Sequence, residues 1–131
     1  MPEMTKPRPK YLALHEIRLP LAGYASILHR VSGAGLFLML PLLIWLLQLS
    51  LDSTQQGSAL FAALTGSLLV KLILLGLIWA FLHHFCMGIR ILLIDIHVGV
   101  EKPQAHASAI TVMAVSLTLT LIFGLKLLGA Y

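Results

Sequence analysis

Charge and cysteine are both scarce in this chain of 131 residues: only 11% are charged, and Cys86 is the single cysteine. One cysteine excludes an intramolecular disulfide and a cysteine set for iron–sulfur clusters, and the absence of Cys-x-x-Cys-His excludes the usual covalent c-type haem attachment. There is no nucleotide-binding motif. A sequence pI near 9.6 suggests nucleic acid at first sight, but the basic residues are not interleaved with aromatics and follow the distribution expected of membrane topology, so no nucleic-acid role is expected. What the chain has in excess is apolar residues, 59% of the total, with a mean hydropathy of +0.95. This is the composition of an integral membrane protein.

Charged residues leave uncharged stretches at 31–51, 53–70, 72–89 and 103–125, against the roughly 20 apolar residues that a spanning helix needs. The second stretch opens with Ser53-Thr54-Gln55-Gln56-Gly57-Ser58 and is interrupted by Thr65-Gly66-Ser67, which favours three spans over four. The expected architecture is all-α in a single membrane domain. It has an N-terminal arm over 1–19, helix one over 20–49, helix two over 66–96 and helix three over 105–128. Residues 60–64 form a short interfacial turn or the first turns of helix two. Pro20 and Pro103 suit first helical turns, where a missing N–H is harmless, and Pro41 is a candidate kink. The arm spreads Lys6, Arg8, Lys10, His15, Glu16 and Arg18 along its length instead of leading directly into an apolar core, so it does not read as a cleavable signal peptide.

Orientation follows the lysines and arginines: the arm holds four, the first loop none, and the second loop has Lys102 with Arg90 at its helix end. The N-terminus and second loop are therefore expected in the cytoplasm. Lys71 and Lys126 fall near the outer surface, within snorkelling reach of the headgroups.

Two constellations carry chemistry. In helix two, His84 precedes Gly88 by one turn on the same face. A histidine at membrane depth is costly without a partner, and the glycine removes the side chain that would block a flat ligand. The pair suggests an axial haem ligand, and without covalent attachment the haem would be b-type. His83 points about 100° away around the helix and lacks such a glycine, so it is expected at the lipid edge or facing a partner. In helix one, Ser26 and Arg30 share a face. Six residues separate His84 from Arg90, about 9 Å of helical rise, so in antiparallel helices both constellations lie at one depth. A hydroxyl beside a fixed cation suits a quinone carbonyl or a haem propionate.

Ser26-Ile27-Leu28-His29-Arg30-Val31-Ser32-Gly33 opening a first span, with His84-x-x-x-Gly88-x-Arg90 near the end of a second, resembles the cytochrome b membrane-anchor subunits of succinate dehydrogenase. The resemblance extends over nearly the whole chain, through Arg8-Pro9, Ile17-Arg18-Leu19-Pro20 and Asp95 closing helix two. It implies that Ser26 and Arg30 border the ubiquinone site, that His84 ligates haem b, and that His29 and Arg30 lie near the haem propionates. One departure stands out: Ile91 occupies a position where many relatives carry histidine, so any polar role of that residue is missing here. The resemblance further implies half of a heterodimeric helical bundle enclosing haem b. A second, smaller anchor subunit supplies the other axial histidine, and flavoprotein and iron–sulfur subunits dock on the cytoplasmic side of a bacterial inner membrane. This chain would not oxidise succinate itself; it would pass electrons from the iron–sulfur subunit to quinone.

Each assignment has a plainer competitor. Arg30 also suits a headgroup anchor, and Ser26 a hydroxyl bonded back to its own helix. Asp95 reads as a helix-end residue, with proton relay as the alternative. His15, His97 and His106 read as solvated. Ser32-Gly33-Ala34-Gly35 is a small-residue patch for close helix packing, and Cys86 and the methionines are core filler. At the level of the whole chain, the rival is a haem-free structural anchor of a fumarate reductase-like complex. A transporter or channel subunit would show polar residues repeated along one helix face, and helix three has none.

Overall fold

The computed structural model describes residues 15–129. Lys6, Arg8, Lys10 and the Arg8-Pro9 pair, assigned above to a basic arm, lie outside the described residues. The described chain contains four helices, α1 Leu21–Leu51, α2 Gln55–Gly66, α3 Leu68–Asp95 and α4 Lys102–Leu127. Among the described residues, three of these, α1, α3 and α4, are long and apolar enough to cross a membrane.

Helix α3 lies in the centre, packed against both α1 and α4. Small residues make the close approaches possible: Ala25 and Ser32 on α1, Ala80 on α3, and Ala109, Ser116 and Gly124 on α4 are all buried. A Cβ at Gly124 would stand 2.5 Å from Leu75 Cδ1, so the two backbones approach there only because the side chain is absent. Ala25, Met87, Ala109 and Val112 form the buried apolar cluster where the three spans meet. Outward, Phe37, Leu38, Leu51, Leu69 and Leu92 remain largely exposed, as expected of surfaces facing lipid or another membrane subunit.

The segment between the first two spans differs from the expected turn. Residues 55–66 form a separate helix because Thr54 caps it, its hydroxyl accepting from Gly57 N–H at 3.1 Å. Ser67 then adopts extended backbone, φ −67° and ψ 131°, which ends α2 before α3 begins. Asp52 closes this corner by accepting from Thr54 N–H at 2.8 Å, and these contacts hold its carboxyl below the usual carboxylate range. Gly57 is required here, since a Cβ would collide with the Asp52 carboxylate. Pro20 is the N-cap of α1, Pro103 lies in the first turn of α4, and α1 runs unbroken through Pro41.

At the other end, α3 stops in a Schellman arrangement: His97 N–H donates to Ile94 O and Val98 N–H to Leu93 O. His97 holds φ 64°, the left-handed position usually given to glycine, and its side chain is exposed.

Candidate functional site

The adjacent histidines of α3 grip two carbonyls of α1 one helical turn apart. His83 Nε2 lies 3.2 Å from Ala25 O, and His84 Nδ1 lies 3.0 Å from His29 O. A carbonyl only accepts, so each of these ring nitrogens carries the proton and donates. For His84 this fixes the tautomer with Nε2 as the lone-pair nitrogen. A metal-binding imidazole ordinarily has this arrangement, with its second nitrogen donating to a carbonyl or carboxylate.

Three neighbours on α1 shape the bed for the His84 ring. His29 stacks on it, with ring centroids 4.1 Å apart and planes 12° from parallel. Ser32 is buried, donates to His29 O at 2.9 Å, and places its oxygen 3.4 Å from His84 Nδ1. Gly33 lies against the ring edge: a Cβ there would be 2.7 Å from His84 Cε1. Two residues of the small-residue patch read from sequence as packing, Ser32 and Gly33, thus let α3 pack close and seat His84, whereas a Cβ at Gly35 would meet nothing within 4 Å. At Gly88, by contrast, an added Cβ meets nothing within 4 Å, so the space beside α3 one turn after His84 is open.

His83 departs from the sequence expectation. Instead of facing lipid or a partner it is completely buried between α1 and α3, held by Ala25 O and stacked on Trp79 with centroids 5.3 Å apart. The bond to a backbone carbonyl explains the inward orientation, since a histidine facing hydrocarbon would leave both nitrogens unsatisfied. Its Nδ1 and Trp79 Nε1 are buried without a hydrogen-bond partner.

Ser26 and Arg30 remain on the α1 surface, Ser26 half-buried and Arg30 exposed. Ser32, Ser50, Ser108 and Ser116 all donate back to carbonyls of their own helices. Ser26 makes no such bond among the described residues, and Arg30 makes no ion pair there. A hydroxyl and a guanidinium one turn apart are thus both available to an outside acceptor. Asp95 is the last residue of α3 and is exposed. The sequence missed the places of Ser32 and Gly33, although they stand two and three residues after Arg30, and of Arg90, which turns inward to α4.

Residues 4–123 match the family described as succinate dehydrogenase/fumarate reductase transmembrane subunit. The chain is 34% identical over 113 residues to the succinate dehydrogenase cytochrome b556 subunit of Coxiella burnetii, covering 86% of this chain and 90% of that one. It is 34% identical over 116 residues to the corresponding subunit of Paracoccus denitrificans, covering 88% of each. The Rickettsia felis subunit is 28% identical over 120 residues, covering 92% of this chain and 93% of the relative. The chain belongs to the succinate dehydrogenase/fumarate reductase transmembrane subunit family.

Proposed function

We propose that this chain is the haem b-binding anchor of a succinate:ubiquinone oxidoreductase, with His84 as one axial ligand and Ser26 and Arg30 bordering the quinone. The observation that carries the reading is the His84 Nδ1–H···O=C bond to His29, which leaves Nε2 as the lone-pair nitrogen of a ring seated against Gly33. The cytochrome b556 names of the relatives point the same way.

Haem b, when bound, supplies a one-electron redox centre. The residues of this chain would do the rest: His84 would hold the iron through Nε2, the His29 carbonyl and Ser32 orient its ring, and His29 and Arg30 would serve the propionates. Ser26 donates a hydrogen bond to a quinone carbonyl, and Arg30 favours negative charge beside it. Asp95, exposed at the end of α3, is placed to exchange protons with water. His84 is one histidine, and a second, smaller anchor subunit would supply the other that holds the haem. Flavoprotein and iron–sulfur subunits dock at the end of the bundle where α1 begins and α3 ends, on the cytoplasmic side of a bacterial inner membrane.

The test is purification of the complex with its subunits identified and a reduced-minus-oxidised spectrum recorded. A b-type spectrum with flavoprotein, iron–sulfur and second anchor subunits present is expected; a haem-free complex would leave only the structural-anchor reading. Orientation is checked separately. A reporter fused after Gln55 should be periplasmic and one fused at Lys102 cytoplasmic, as the distribution of basic residues requires. The opposite labelling would put Arg30 and His84 on the wrong side for a cytoplasmic dehydrogenase.

A further inference from the structure

Arg90 is a buried cation with no anion beside it among the described residues. Its side chain is 9% exposed; Nε donates to Ser108 Oγ at 2.9 Å, Nη2 donates to Ala105 O at 3.1 Å, and Nη1 reaches only the Met87 sulfur at 3.9 Å. Guanidinium carries five N–H donors, and thioether sulfur is a weak acceptor, so Nη1 lacks a good partner. The single ion pair among the described residues is His15–Glu16, and the nearest acids in sequence, Asp95 and Glu101, are exposed. Two neutral oxygens satisfy hydrogen bonds without neutralising the charge. A buried, uncompensated charge is costly in a protein interior and more so at membrane depth.

The same residue lines an apolar groove of about 370 Å³ between α3 and α4, walled by Cys86, Ile89, Val112 and Val115. This groove is separate from the histidine site. Arg90 lies about 120° around α3 from His84 and bonds to α4, whereas His84 bonds to α1. Along the axis, five residues separate Arg90 from Asp95, about 7.5 Å of rise, which sets the guanidinium just inside the helix end. Lys102 begins α4 at that same end.

We propose that this groove is a binding site for an anionic phospholipid of the surrounding bilayer, an acyl chain lying along the α3/α4 walls and a phosphodiester oxygen accepting from the Arg90 guanidinium. An acyl chain matches a wall of aliphatic side chains, and the phosphodiester supplies both the missing acceptors and the missing negative charge. Lipids with net negative charge are favoured over zwitterionic ones because only they compensate the cation. Basic pockets between spanning helices near the membrane surface recognise anionic headgroups on this principle.

The test uses the complete complex, purified in mild detergent, with retained lipid extracted, identified by mass spectrometry and counted per bound flavin. Native complex should retain anionic phospholipid. Arg90→Gln, which removes the charge, and Val115→Trp, which fills the groove without changing charge, should each reduce retention about fivefold, equivalent to about 1 kcal/mol. Vesicles containing phosphatidylglycerol should restore the thermal stability of delipidated native complex and not that of Val115→Trp. Equal retention in native and variant complexes would overturn the proposal. So would retention of zwitterionic lipid alone, or cross-linking of Val115→Cys to another subunit, which would show protein covering the groove. If Arg90→Gln fails to assemble, Val115→Trp decides.

Discussion

In complexes carrying His84→Leu the b-type haem spectrum should be lost or severely disturbed, while His83→Leu should leave a low-spin spectrum largely intact. The two histidines are neighbours on one helix, so the contrast tests geometry rather than position in the membrane. His84 donates from Nδ1 to His29 O, which leaves Nε2 as its lone-pair nitrogen, with the ring seated against Gly33. His83 spends Nε2 on Ala25 O and buries Nδ1 inside the subunit, leaving no nitrogen directed to an external ligand. Its replacement forfeits a hydrogen bond worth about 1 kcal/mol, so His83→Leu should lower thermal stability slightly without removing the haem. Gly33→Val serves as an independent probe, because a Cβ at Gly33 would press on the His84 ring and break its bond to His29 O; a shifted or weakened haem spectrum is expected with His84 still present. A normal low-spin spectrum in His84→Leu would refute the ligand assignment. Spectra are the readout here, since quinone reduction is a separate property of the complex.

The three spans were legible in the sequence because an uninterrupted run of about 20 apolar residues has one physical use, and the shared face of His84 and Gly88 was legible because i, i+4 residues lie one turn apart on a helix. The rotation of each helix was not. A helix that is apolar all round carries no amphipathic signal to separate its protein side from its lipid side, which is why His83 was expected outside and lies inside. The separate helix α2 was obscured for a different reason: Thr54 acts as an N-cap and Ser67 as a break, yet both sit among polar and small residues that read equally as loop. Gly33 illustrates a third kind of gap. Its closeness to His84 depends on which turn of α1 faces which turn of α3, and that register comes from histidine-to-carbonyl bonds that no periodicity in either helix announces.

Quinone chemistry at Ser26 and Arg30 should be separable from anchoring by two substitutions with different severity. Ser26→Ala should impair succinate:quinone electron transfer by roughly fivefold, the loss of one neutral hydrogen bond, while succinate oxidation with an artificial acceptor at the soluble subunits stays nearly normal. The fold has little stake in this hydroxyl, which makes no hydrogen bond among the described residues, unlike the other helix serines that bond back to their own carbonyls. Arg30→Leu should be the more damaging, roughly tenfold or greater, because a bond to a charged group is worth about 1.5–3 kcal/mol. Arg30 is exposed and without an ion pair among the described residues, so its removal costs little packing; if it also serves a propionate, the haem spectrum will shift with it. Quinone reductase kinetics and inhibitor binding should be compared on assembled complexes at matched flavin content. Unchanged values in both variants would reduce Ser26 to helix surface and Arg30 to a headgroup anchor, whereas a selective loss with the artificial-acceptor rate preserved would place the quinone on this face of α1.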